Sequence, residues 1–226
     1  NLKKSFKDNQ LLYEQYVADK LNLKPDSKIL DIGCGCGRIA HHISKLTKSQ
    51  VYGINIDEGQ LSDARQFAKK KKTSNQFLFL DLNDKYPFPD NHFDAVYSFQ
   101  AITTFIKNYD AVFQEINRVL KPGGILFFFD CVLLDNFDGK NPHHVKLLNN
   151  SRMVMAAGYQ NYYKYYEDAG TRNGFKLLGS GSGQTYPNLA QDLQLLKNEH
   201  ANYQKIENKI KFLSKCRILP KHMPYL

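Results

Sequence analysis

The stretch Ile29-Leu30-Asp31-Ile32-Gly33-Cys34-Gly35-Cys36-Gly37 constrains the fold more than any other part of this 226-residue chain. A short apolar run ends in an acid and opens into three alternating glycines, which predicts a buried strand, a tight turn and the start of a helix. Glycine lets the backbone approach a ligand closely, because a Cβ there would fill the space or clash with the turn. The stretch reads as a cradle for a small molecule.

The charge pattern narrows the ligand. A dinucleotide fingerprint is spaced G-x-G-x-x-G and leaves helix N-terminal amides free for a pyrophosphate. Here the order is D-x-G-x-G-x-G, with Asp31 ahead of Gly33, Gly35 and Gly37. An acid in that place repels phosphate and suits a cationic amino group, held directly or through solvent. S-adenosylmethionine, with its sulfonium and α-ammonium, fits better than a nicotinamide dinucleotide.

Around this loop, helical and extended patterns alternate. Helices are expected over Leu11 to Leu23, Ile39 to Leu46, Gln60 to Lys70 and Asp110 to Leu120. Strands are expected over Val51 to Asn55, Gln76 to Asp81, Phe93 to Ser98 and Ile125 to Val132. Lys121-Pro122-Gly123-Gly124 reads as a helix stop with a left-handed glycine cap. Alternation of this kind predicts an α/β fold with a mostly parallel central sheet flanked by helices. Ligands in such sheets lie beyond the carboxyl ends of the strands. That places Asn55 toward a ribose, without the charge assistance an acid would give. Asp81 and Leu82 suit an adenine, through the carboxylate or backbone groups and an apolar neighbour. Phe99-Gln100-Ala101 falls where a methyl donor and its acceptor would meet.

The second half is less regular and richer in tyrosine. Helices are expected over Pro142 to Ala157, Tyr162 to Arg172 and Asn188 to Cys216, a short strand over Phe175 to Leu178, and a loop at Gly179 to Gly183. The reading is one domain in two parts: residues 1–135 form a Rossmann-like core with an N-terminal helix, and residues 136–226 form a helical lid that completes it. The chain opens on Asn rather than Met, as a piece of a longer protein would.

The formal charge is +9, with a lysine run at Lys69-Lys70-Lys71-Lys72. A solvated helix end accounts for that run, and no stacking aromatics are interleaved with basic residues near the glycine loop, so no nucleic-acid partner is expected. The basic balance leaves peripheral membrane contact open. Cys34 and Cys36 read as small fillers of the turn, since no second pair stands at zinc spacing; no metal is expected. The absence of a signal peptide and of a long apolar run points to a cytoplasmic, reducing compartment. Oligomeric state is not legible.

The motifs resemble those of class I S-adenosylmethionine-dependent methyltransferases, and more closely the sterol methyltransferase group. Leu30-Asp31-Ile32-Gly33-Cys34-Gly35 is similar to that group's first motif, Tyr52-Gly53-Ile54-Asn55-Ile56 to its second, and Pro87-Phe88-Pro89-Asp90-Asn91-His92-Phe93-Asp94-Ala95-Val96-Tyr97 to its third. The resemblance continues through Glu115 to Gly124, Asp135 to Asp138 and Asn141 to His144. Arg217-Ile218-Leu219-Pro220 resembles the C-terminal part of the nematode sterol 4-methyltransferase branch. The resemblance implies cofactor contacts at Asp31, Ile32, Gly33, Gly35, Gly37, Asn55, Ile56, Gln60, Asp81, Leu82 and Phe99, with S-adenosylhomocysteine as product. Sterol side-chain methyltransferases carry an acidic, Cys- and His-containing motif after the fourth strand, where this chain has Phe99-Gln100-Ala101-Ile102-Thr103-Thr104.

On these residues the leading expectation is methyl transfer to a small lipophilic, hydroxylated acceptor, as O-methylation of a phenol such as a vinylphenol. His143 or His144 is the expected base, an imidazole being suited by its pKa. Tyr13, Tyr16, Gln100, Phe105, Met153 and Tyr159 are the expected acceptor contacts. The alternative is C-methylation of a sterol, at the 4- or 24-position. A binding-only protein is the remote alternative, and an oxidoreductase fails on glycine spacing.

Overall fold

The computed structural model of the chain describes residues 5–155 and 161–179. Tyr13–Ser180 form one compact unit, built on a five-stranded parallel sheet of order β3-β2-β1-β4-β5. The strands are β1 (Lys28–Ile32), β2 (Gln50–Asn55), β3 (Gln76–Phe79), β4 (Phe93–Phe99) and β5 (Leu120–Phe129). β1 lies in the middle, pairing Asp31 with Gly53 of β2 on one side and with Tyr97 of β4 on the other. Its last four residues are buried, as parallel strands covered on both faces require. This is the α/β, Rossmann-like arrangement expected from the alternating pattern.

Two apolar layers cover the sheet. On one face Ile29, Val51, Ala95 and Tyr97 pack against Val17 of α1 (Phe6–Lys20), Ala40 and Ile43 of α2 (Arg38–Thr47), and Leu61 and Ala64 of α3 (Glu58–Lys71). On the other, Leu30, Ile32, Ile54 and Val96 pack against Val112, Ile116 and Val119 of α5 (Tyr109–Val119). The buried positions of α2 and α5 recur at three and four residues, so each helix presents one apolar stripe to the sheet. Asp57 and Asn108 start α3 and α5 by accepting the amides of Gln60 and Ala111. Among the described residues, no helix is long and apolar enough to cross a membrane.

The structure corrects four local expectations. α5 ends at Val119 with Leu120 already extended, so Pro122-Gly123-Gly124 is no helix cap. The chain pairs with β4 as soon as it leaves the helix, and the register jumps from Phe93↔Leu120 to Ala95↔Ile125. Pro122-Gly123-Gly124 is therefore the swollen side of a bulge, where a Cβ on Gly124 would lie 2.8 Å from Leu120 and 2.9 Å from the Asp94 carbonyl. Phe175 to Leu178 is not a strand: the Phe175 amide turns back to the Gly170 carbonyl and its ring packs edge-on against Phe113, closing the end of α7 (Tyr163–Arg172). β3 stops at Phe79, releasing Asp81 from the sheet. A single-turn α4 (Ile102–Phe105), not foreseen, follows β4. α6 spans Pro142–Met155, and the helix expected over Asn188 to Cys216 lies outside the described residues.

The long β3–β4 connection is held by Arg118 of α5. Its guanidinium donates to the Phe88 carbonyl (2.8 Å), the Tyr86 carbonyl (3.0 Å), Asp90 (2.7 Å) and Glu115 (2.9 Å). A planar fork of five donors serves these acceptors and an ammonium does not. Arg118→Lys is expected to lower stability by about 2 kcal/mol in chemical denaturation, with the sheet intact by circular dichroism.

Candidate functional site

The order of strands reverses between β1 and β4, and the loops leaving these two strands meet there. A Cβ on Gly33 would lie 2.3 Å from the Ala101 Cβ, so glycine is the residue that lets the loops touch. Gly33, Gly35 and Gly37 all adopt positive φ, of 77°, 52° and 72°. The amides of Gly33 and Cys34 both donate inward to the Ile54 carbonyl, at 2.9 and 3.1 Å. Donors spent on the sheet are not aimed at a phosphate, as a pyrophosphate cradle requires.

Asp31 sits under this turn with 2% of its surface exposed. Its carboxylate accepts the Tyr97 hydroxyl at 2.8 Å across the β1–β4 pair. Desolvation raises the carboxyl from 3.8 to about 7, the Tyr97 hydrogen bond opposing the shift. Burial and the Asp31 charge likewise hold the Cys34 thiol far above its usual range. Cys34 is a buried filler against the position a Gly53 Cβ would take, and Cys36 is exposed. No group of three or more His, Cys, Asp or Glu side chains suited to a metal is found among the described residues.

Three further edges frame the crevice. At the end of β2, Asn55 donates its side-chain amide to the Gln60 side-chain carbonyl (2.9 Å), which leaves the Asn55 side-chain oxygen as an acceptor; Ile56 beside it is exposed. That Gln60 oxygen is 3.6 Å from where a Gly35 Cβ would stand, so the two sides of the crevice face each other. Past β3, Asp81 accepts the backbone and side-chain N–H groups of Asn83 and is held below its usual range by them. Asn83 also donates to the Phe105 carbonyl and accepts the Lys107 amide, joining this edge to the segment after β4. Leu82 and Ile32 are buried in the core.

The third edge is aromatic. Tyr13 of α1 packs edge-on to Phe99 and Phe129, the last residues of β4 and β5, at 6.0 and 5.3 Å, and stacks on Tyr16. Gln100 has φ of 58°, rare without a glycine, and donates its amide to the Phe129 carbonyl. The next residue of that chain, Asp130, is a half-buried carboxylate at the end of β5. Phe105 is exposed. The side chains of Met153 and Tyr159 lie outside the described residues. His143 and His144 stand in the first turn of α6, where His144 accepts the Asp138 amide on Nδ1 and stacks on Phe137. Their contacts are local to that turn.

Tyr97 is legible in the sequence as an apolar wall but not as the partner of Asp31, and Asn83, Asp130 and Glu14 were not singled out. Glu14 alone had a readable signal, since it lies at helical spacing with Val17, Ala18 and Leu21 on the buried stripe of α1.

Residues 30–128 match the methyltransferase domain family. A sterol 24-C-methyltransferase of Gibberella zeae is 42% identical over 127 residues, covering 56% of this chain and 33% of that protein. Squalene methyltransferase 1 of Botryococcus braunii is 34% identical over 182 residues, covering 79% of this chain and 47% of that one. The chain thus spans less than half the length of the curated relatives it matches. Among solved structures, the cyclase SpnF aligns with a TM-score of 0.67 at 25% identity, covering 79% of this chain and 62% of that one.

The Asp31 environment carries a sign. The folded protein holds this proton up to about pH 7, whereas the unfolded chain releases it near 3.8, so the folded state binds more protons between these values. Stability of the ligand-free protein then falls as pH rises from about 4 to about 7, by up to about 4 kcal/mol from this group. Asp31→Asn is expected to remove that dependence and to raise the melting temperature at pH 7, read by calorimetry across the range.

Proposed function

Because this chain is a class I, sterol methyltransferase-like protein, we propose that it binds S-adenosylmethionine in the crevice beyond β1 and β4 and directs its methyl to a carbon of a lipophilic, sterol- or isoprenoid-type acceptor. The observation that carries the cofactor assignment is the inward turn of the Gly33 and Cys34 amides above the buried Asp31 carboxylate. A turn whose first two amides are committed inward, above one sunken acid, suits a cationic amino acid moiety. The acceptor assignment draws on relatives named for methylation of sterol and squalene carbons at 34–42% identity. These favour the sterol C-methylation alternative over O-methylation of a small phenol.

The residues divide the work as follows. Asp31 takes the α-ammonium, and the glycines admit the methionine chain against the backbone. Asn55 and Gln60 would face the ribose hydroxyls; Ile56 and Asp81 would face the adenine, with Leu82 buried beneath them. Bound there, S-adenosylmethionine would supply an electrophilic methyl on its sulfonium, with the thioether S-adenosylhomocysteine as the leaving group. Phe99, Tyr13, Tyr16, Gln100 and Phe105 wall the place where the acceptor approaches, and their work is alignment and exclusion of water. An alkene that gains a methyl must lose a proton, and the segment from Phe99 to Thr104 after β4 holds no carboxylate. Asp130, one residue past the carbonyl that Gln100 engages, is the carboxylate we assign to that proton.

Calorimetry with S-adenosylhomocysteine tests the first half: binding to the wild-type protein is expected, and its loss in Gly33→Ala, where the new Cβ collides with Ala101. Turnover of labelled S-adenosylmethionine with a Δ24 sterol, squalene and a vinylphenol, read by mass spectrometry, tests the second. A C-methylated isoprenoid is expected, and Asp130→Asn should lower its formation by about 100-fold at unchanged product affinity. A methylated phenol as the sole product overturns the acceptor class and returns attention to His143 and His144.

A further inference from the structure

Glu14 is a carboxylate with 2% of its surface exposed, on the stretch of α1 that also carries Tyr13. One oxygen accepts from the Arg38 guanidinium at 2.6 Å and the other meets His42 Nδ1 at 2.7 Å. Arg38 is the first residue of α2, directly after Gly37, and His42 is one turn further along the same helix face. The partners are asymmetric. Arg38 is half exposed and rehydrates if the contact breaks, whereas the acid has no water to fall back on.

The neighbouring Tyr13 ties the same helix to the other side of the crevice, through Phe99 and Phe129 at the ends of β4 and β5. Two adjacent residues of one helical turn thus join the start of α2, just past the glycine loop, to the aromatic edge of the acceptor side. Helix packing alone needs only the apolar stripe of Val17, Ala18 and Leu21. A buried acid on that stripe is costly unless it is paired, so Glu14 holds Arg38 and His42 where they are.

We propose that Glu14 is a positioning residue: by clamping the first turn of α2 it seats Tyr13 across the crevice and thereby sets how fast the bound cofactor leaves. This rests on S-adenosylmethionine binding at the glycine loop. The clamp holds two elements in register, and release of the ligand requires the Tyr13 turn to lift off Phe99 and Phe129. Tyr13 is the part of the clamp that obstructs, and Glu14 with Arg38 is the part that holds it down.

The test is the dissociation rate of labelled S-adenosylhomocysteine, chased with unlabelled ligand. Glu14→Ala is expected to release it about tenfold faster, Glu14→Gln about threefold, since an amide keeps the shape and part of the hydrogen bonding, and Tyr13→Ala about tenfold. The Glu14→Ala, Tyr13→Ala double variant is expected to be no faster than either single one, because both act through one seat. A purely structural acid would lower the melting temperature while the two effects on release simply add. If Glu14→Ala does not fold, Arg38→Met, a change at a half-exposed residue, gives the same reading, with release about threefold faster. Unchanged release in Arg38→Met and Glu14→Gln, or additive effects in the double variant, overturns the clamp. Failure of the wild-type protein to bind S-adenosylhomocysteine overturns the cofactor assignment instead.

Discussion

A carboxylate deprived of water at the centre of a parallel sheet is the constraint on which the rest of the site depends. Asp31 has Ile32 and the glycine turn directly after it, Gly53 beside it on β2 and Tyr97 beside it on β4. The Tyr97 hydroxyl gives it one good hydrogen bond across the β1–β4 pair. Burying such a group without a countercharge costs stability, which natural sequences tolerate chiefly where a ligand later supplies the missing partner. The close approach of Gly33 to Ala101 and the inward amides of Gly33 and Cys34 shape the space above it. Strain elsewhere in the same rim, at Gln100, fits a place where geometry is set by use and not by packing.

Much of this was legible from the chain, and the misses have physical reasons. The strand-turn-helix at Ile29 to Gly37 and the helices that cover the sheet announce themselves by period and by glycine, which are local properties. Asp31 was visible as an acid, but its partner Tyr97 is 66 residues away and reaches it only through strand pairing. Pro122-Gly123-Gly124 carries the same letters whether it stops a helix or swells a bulge; the partner strand at Phe93 decides. Phe175 to Leu178 is apolar enough for a strand, yet Phe175 finds its burial against Phe113 and needs no ladder. Asp130 comes beside Gln100 only because β5 lies next to β4. Glu14 was readable, since an acid on an apolar helical stripe asks for a partner.

The fold does not decide the chemistry. The same scaffold, at 25% identity, serves a cyclase, while relatives nearer in sequence are named for methylation of sterols and squalene. The side chains that rim this sheet include Gln100 after β4, Asp130 after β5, and Tyr13 packed against Phe99 and Phe129. The core beneath, from Val51 to Val96, makes that rim rigid without saying what it holds.

The inward amides of the glycine turn bear on what the crevice refuses as much as on what it accepts. Adenosine phosphates share the adenine and ribose of the proposed cofactor, so the proposed site has to tell the two apart at the far end. A triphosphate reaching past the Asn55 edge toward Gly33 would find two N–H groups already committed to the Ile54 carbonyl and a carboxylate below them. On the proposed reading, the first two amides of the turn thus favour a cationic amino acid moiety over a phosphate by being already spent on the sheet.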